Sequence, residues 1–166
     1  RGDDQSYRLA RQGLVNLGLD PDRPFIICHP GMGGSALNPS PHIYLKLIEQ
    51  LEKNRQLPIL LSVVPLPKDQ EILKELLSKL PGLKVIQGQP LPVLREIFRL
   101  ADTVVAPSTG PLHLAHMVGT KTLGLYPPVK SQRKERWAPW GGSGEVRVID
   151  PNHACAGTTD CIGEKC

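Results

Sequence analysis

The densest run of residues able to do chemistry is Ala106-Pro107-Ser108-Thr109-Gly110-Pro111-Leu112-His113. It follows Thr103-Val104-Val105-Ala106, an apolar run that reads as a buried parallel strand. Ser108 and Thr109 suit a helix cap. Pro111 suits a first helical turn, where its missing N–H costs nothing, and Gly110 lets a ligand approach the backbone. Free N–H groups and the positive end of the helix dipole then point at one spot, which makes an anion site. The dipole contributes only about 0.3–2 kcal/mol, so a diphosphate needs further groups. His113, one turn into the helix, is placed to donate to phosphate or to move a proton. The competing reading is a histidine satisfied inside the fold. His116 falls on another helix face and reads as structural.

A second group is the loop His29-Pro30-Gly31-Met32-Gly33-Gly34-Ser35-Ala36, which follows the apolar run Phe25-Ile26-Ile27-Cys28. It lacks the Gly-Lys-Ser/Thr ending of a Walker A loop and the third glycine of GxGxxG. Gly33, Gly34 and Ser35 are diphosphate candidates, with a tight strand-to-helix connection as the alternative. Asp69 follows the second strand, where an acid can accept ribose hydroxyls or simply favour a helix N-terminus. No Ser-His-Asp set, carboxylate pair or metal cluster stands out. The residues equip the chain to hold a nucleotide more than to carry out proton chemistry alone.

The elements that must position these residues alternate. An amphipathic lead-in helix is expected over Gln5–Leu19, with Leu9, Leu14, Val15 and Leu17 as its apolar positions. Strands are expected at Phe25–Cys28, Pro58–Val64, Leu83–Ile86, Thr103–Ala106, Lys121–Tyr126 and Val146–Ile149. Helices are expected at Pro41–Asn54, Lys68–Leu80, Pro92–Leu100 and Pro111–Val118, the last ending at Gly119 in the left-handed C′ conformation. A long polar loop separates the last two strands. This pattern predicts an α/β fold, a doubly wound parallel six-stranded Rossmann-like sheet in the order 3-2-1-4-5-6. Ligands of such sheets bind beyond the carboxyl ends of the strands, at the switch between strands one and four. Those are the strands that lead into the two hydroxyl- and Gly-rich segments. The domain reading is a lead-in helix and turn over 1–23, a nucleotide-binding domain over 24–150 and a Cys-containing tail over 151–166.

The bulk properties set bounds. The chain has 166 residues, 40% of them hydrophobic, which fits one soluble domain with a self-sufficient core. No stretch is long enough to span a bilayer. The chain opens at Arg1 without a signal-peptide pattern or a starting Met, and reads as a fragment or processed chain. The net charge of +4 is mild and only 4% of residues are aromatic, which argues against nucleic acid as a partner. One basic cluster, Lys130, Arg133, Lys134 and Arg136, favours anionic small molecules or an acidic surface. Cys28 reads as a small buried hydrophobe. Cys155, Cys161 and Cys166 follow His153 at spacings that miss the usual zinc pattern, so no metal is assigned; a zinc site with His153 and cysteines paired beyond Cys166 are the two readings of that tail.

The stretches "HPGMGGSA", "LADTVVAPSTGPLHLAHMVGTKTLGLYPP" and "RWAPWGG", followed by a Cys-containing tail, resemble the C-terminal half of the ADP-heptose:lipopolysaccharide heptosyltransferases, glycosyltransferase family nine. The resemblance runs from about Phe25 to Cys166 and is most specific from Asp102 to Pro127. It implies one half of a GT-B enzyme, the half that binds the donor ADP-heptose. It implies inverting transfer of heptose to the inner core of lipopolysaccharide, with no metal or other cofactor. The catalytic base and the acceptor pocket would lie in an N-terminal domain outside this chain. By the same resemblance Ser35, Thr109, Gly110 and His113 would meet the diphosphate, Asp69 the ribose, and the backbone near Gln89 the adenine. Two departures stand out: many members have Asp where Ser108 stands, and Lys or Arg near Leu37. Arg133, Lys134 or Arg136 would have to replace the missing cation. The implied setting is cytoplasmic, with peripheral contact at the inner face of the inner membrane. The alternatives are a UDP-sugar transferase or epimerase domain, and a non-catalytic nucleotide-binding module.

Overall fold

The structure, a computed structural model, describes residues 4–33, 38–127, 132, 134–140 and 146–149. Its elements run α1 (Asp4–Asn16), β1 (Ile26–Cys28), α2 (Pro41–Arg55), β2 (Ile59–Val63), α3 (Pro67–Lys79), β3 (Lys84–Gln87), α4 (Leu91–Leu100), β4 (Thr103–Pro107), α5 (Gly110–Met117), β5 (Lys121–Leu125), α6 (Lys134–Trp137) and β6 (Val146–Ile149). The strands pair in parallel in the order β3-β2-β1-β4-β5-β6. In the central register Cys28 stands beside Leu61 on one side and Val105 on the other. Gly119 takes a φ of +87° just past α5, as its position in the sequence predicts.

Continuous apolar strands bury both faces, and alternate residues go to opposite layers. Ile27, Leu60, Val104 and Ala106 face one way, under α1, α4 and α5, and pack with Leu14, Ile97, Phe98 and Leu112. Ile26, Cys28, Leu61, Val63 and Val105 face the other way, under α2 and α3, and pack with Tyr44, Ile48, Leu73 and Leu76. Burial holds the Cys28 thiol up at about 12, so it behaves as an apolar group. Four helices begin with proline in their first turn, at Pro41, Pro67, Pro92 and Pro111. At those positions the absent N–H has no intrahelical acceptor to lose.

Two local expectations change, and one buried charge was not foreseen. In α1 the buried residues are Ser6, Ala10 and Leu14, while Leu9 and Val15 stand about half exposed. The stripe is narrow because α1 rests on the single helix α4. In α4 a charged residue, Glu96, is buried beside Val93, Ile97 and Phe98. Its carboxylate is held by Arg95 at 2.7 Å and Arg99 at 3.2 Å. The polar loop after β5 is not wholly irregular, because Lys134–Trp137 forms one helical turn.

Candidate functional site

The carboxyl ends of β1 and β4 lie side by side, so the segments that follow them start together. The His29 N–H donates to the Val105 carbonyl at 2.8 Å, which extends the pairing one residue past β1. His29 itself is buried, with Nδ1 3.3 Å from the Ser62 hydroxyl and Nε2 without a partner. Burial pulls its pKa from 6.5 to about 4, so the ring is neutral at neutral pH. The loop beyond it is anchored at Pro30, whose carbonyl accepts from Asn38 Nδ2 at 2.6 Å. The Tyr44 hydroxyl donates to Asn38 Oδ1 at 2.7 Å and fixes that amide in place. Gly33 takes a φ of +59°, a left-handed conformation that favours glycine. Gly34, Ser35 and Leu37 lie outside the described residues, as do Arg133 and the tail cysteines Cys155, Cys161 and Cys166 with His153.

After β4, Thr109 is the extended residue that opens α5, with φ −147° and ψ 162°. Its hydroxyl makes no capping bond, and Ser108 lies beside the Tyr126 hydroxyl. The expectation that both hydroxyls cap the helix is therefore corrected at Thr109, whose hydroxyl is left unused by the cap. Tyr126 donates to the Trp137 carbonyl at 3.0 Å, which ties α6 to the end of β5. Burial raises the Tyr126 pKa to about 12, so it remains a donor at neutral pH. Gly110 is exposed, and nothing lies within 4 Å of the place a Cβ would take. Pro111 has no N–H, and the Leu112 and His113 N–H groups both donate to the Thr109 carbonyl, at 3.0 and 3.4 Å, which leaves the Gly110 amide as the N–H in this first turn without an intrahelical acceptor. His113 is half-buried, with its pKa lowered by burial and then by neighbouring His116. His116 is buried, as its helix face predicts.

Asp69 lies in the first turn of α3, at the carboxyl end of β2, and is 2% exposed. Its carboxylate is packed over Gly31, under the loop, and not on an open surface. Gln89 is exposed after β3, two strands out from β1. Strand order thus places Gly33, Ser108, Thr109, Gly110 and His113 around the β1–β4 ends, with Asp69 below and Gln89 at the flank. Tyr126 and the Tyr44–Asn38 pair escape a reading of the sequence, because their roles depend on which loops meet. His29 has a visible signal, a titratable residue directly before Pro-Gly at the end of an apolar strand.

Residues 15–164 match the sequence profile of glycosyltransferase family 9 (heptosyltransferase). The chain belongs to this family. A curated relative from Haemophilus influenzae, named "Putative glycosyltransferase", is 34% identical over 127 residues, which make up 75% of this chain and 36% of the relative. The family 9 glycosyl transferase from Veillonella parvula superposes with a TM-score of 0.77 at 14% identity, over 90% of this chain and 41% of that one. Escherichia coli ADP-heptose lps heptosyltransferase II gives 0.68 at 20% identity, over 90% and 44%. The family 9 chain thus spans about a third of the curated relative and about two fifths of the solved structures. Its α/β fold with a parallel sheet is similar to that of GT-B glycosyltransferases. No helix among the described residues is long and apolar enough to cross a membrane.

Proposed function

We propose that this chain is the donor-binding half of an inverting glycosyltransferase that moves heptose from ADP-heptose to the inner core of lipopolysaccharide. The reading is carried by one observation: two anion-friendly segments, the Gly33 loop and the open start of α5, begin at adjacent strand ends. Family membership supports glycosyl transfer, and the name of the Escherichia coli neighbour supports the heptose donor. In the transfer, an acceptor hydroxyl attacks the anomeric carbon as its bond to the diphosphate breaks. Negative charge grows on the departing diphosphate. The Gly110 amide and His113 are placed to stabilise that charge without a metal. The base that takes the acceptor proton belongs to the other half of the enzyme, as does the acceptor pocket. The enzyme works at the cytoplasmic face of the inner membrane, where the basic residues near Trp137 meet anionic lipid.

The test is calorimetric titration of the full-length enzyme with ADP, UDP and GDP, with and without EDTA. Binding of ADP alone, unchanged by EDTA and lost in His113→Ala, is the expected result. A preference for UDP moves the donor to another sugar nucleotide. No binding of any of the three refutes the donor site.

A further inference from the structure

The loop after β1 holds a steric coincidence that its diphosphate role does not explain. A Cβ on Gly31 would stand 2.5 Å from Asp69 Cγ, 2.5 Å from Oδ2 and 2.8 Å from Oδ1. No other residue is among the three nearest atoms. Gly31 does not have a positive φ, so its backbone does not demand glycine. The closest approach to that space is made by one carboxylate. That carboxylate is 2% exposed, and its Oδ2 has no hydrogen-bond partner. Two residues on, a Cβ at Gly33 would come within 3.3 Å of the Leu66 side chain, which precedes α3. The loop therefore lies along the turn that opens α3, and Asp69 fills the closest point of approach.

We propose that Asp69 is a positioning residue: its carboxylate packs against Gly31 and sets the course of the Gly-rich loop, and it does not itself meet the donor. The Tyr44–Asn38 pair holds the loop from the α2 side, and Asp69 supports it from the α3 side. A group buried to this degree beneath the loop is closed to a ribose unless the loop lifts. Gly31 is glycine because the carboxylate is there. The consequence for donor affinity rests on the diphosphate site proposed above, whereas the loop's course does not.

The experiment is a double-mutant cycle in the full-length enzyme, read by ADP affinity, by melting temperature and by amide hydrogen exchange across Gly31–Gly33. Gly31→Ala alone is expected to weaken ADP binding by about tenfold and to speed exchange in the loop. In an Asp69→Ala background the same change costs nothing further, because the space has been cleared. In an Asp69→Asn background it costs as much as in the natural enzyme, because the amide fills the same volume. Asp69→Asn alone leaves affinity and exchange near those of the natural enzyme. Should Asp69→Ala fail to fold, Asp69→Ser clears the same space and keeps a hydroxyl at the helix start. The proposal is overturned if the losses from Gly31→Ala and Asp69→Ala add. It is also overturned if Asp69→Ala lowers affinity while exchange at Gly31–Gly33 in the unliganded enzyme stays unchanged, since that is the mark of direct donor contact. If the natural enzyme binds no ADP, the donor reading fails, and the exchange and melting cycles still decide the role of Asp69.

Discussion

His113 stands one turn into α5, half-buried, and burial together with His116 keeps it neutral at neutral pH. A diphosphate beside it would favour the imidazolium and raise its pKa in the complex. Binding and proton uptake are then linked, and the sign is fixed: affinity for ADP rises as pH falls through the raised pKa of the complex, and levels off below the lowered pKa of the free enzyme. Titrations from pH 8 to pH 5 should show tighter binding toward the acid end, with the slope removed in His113→Ala. A slope that survives the substitution assigns the proton to another group. Ser108 deserves a different expectation from the one its place suggests. Its hydroxyl lies beside that of Tyr126, so Ser108→Asp would set a charge against a buried phenol.

At the scale of elements, α4 is the place where charge and burial meet. Glu96 is 1% exposed, while Arg95 and Arg99 remain about one-third and nearly one-half exposed. Glu96→Ala removes both ion pairs but leaves two arginines able to reach water, so the loss should be moderate, about 2 kcal/mol. Urea unfolding of the two proteins measures it, and a change below about 0.5 kcal/mol would show the pairs to be energetically idle. The alternation of strands and helices was legible because a strand buried on both faces is mostly apolar, as in Ile59–Val63, where the polar residue, Ser62, is met by His29. The face of α1 was legible only in part: Leu14 is buried as its position predicts, but the short side chains of Ser6 and Ala10 complete the buried face, and the larger Leu9 and Val15 remain outside. The cap at Thr109 was misread, because a hydroxyl before a helix signals a cap but whether it bonds depends on the local geometry of the turn. The adjacency of the β1 and β4 ends was legible because strand order follows from crossover rules. The packing of Asp69 against Gly31 was not, since nothing in the spacing of the two residues encodes it.

At the scale of the molecule, acid should loosen the fold through His29. The unfolded ring takes a proton below about pH 6.5, while the buried ring stays neutral down to about 4. Its folded pKa is depressed, so stability is intact above about pH 6.5, falls as pH drops toward 4, and changes no further from this group below that. The full effect is on the order of 3 kcal/mol. Urea midpoints at pH 7 and pH 4.5 should differ less in His29→Gln than in the natural chain; equal differences would remove His29 as the cause. The same central position has a consequence for the making of the protein. β1 is flanked by β2 and β4, and its second neighbour, Val105, is roughly 75 residues further along the chain than Cys28. At about 5–20 residues per second, a ribosome leaves one edge of β1 unpaired for roughly 4–15 s. During that interval Ile26-Ile27-Cys28 is an open, fully apolar template, which makes this strand the natural target for a chaperone that meets the nascent chain.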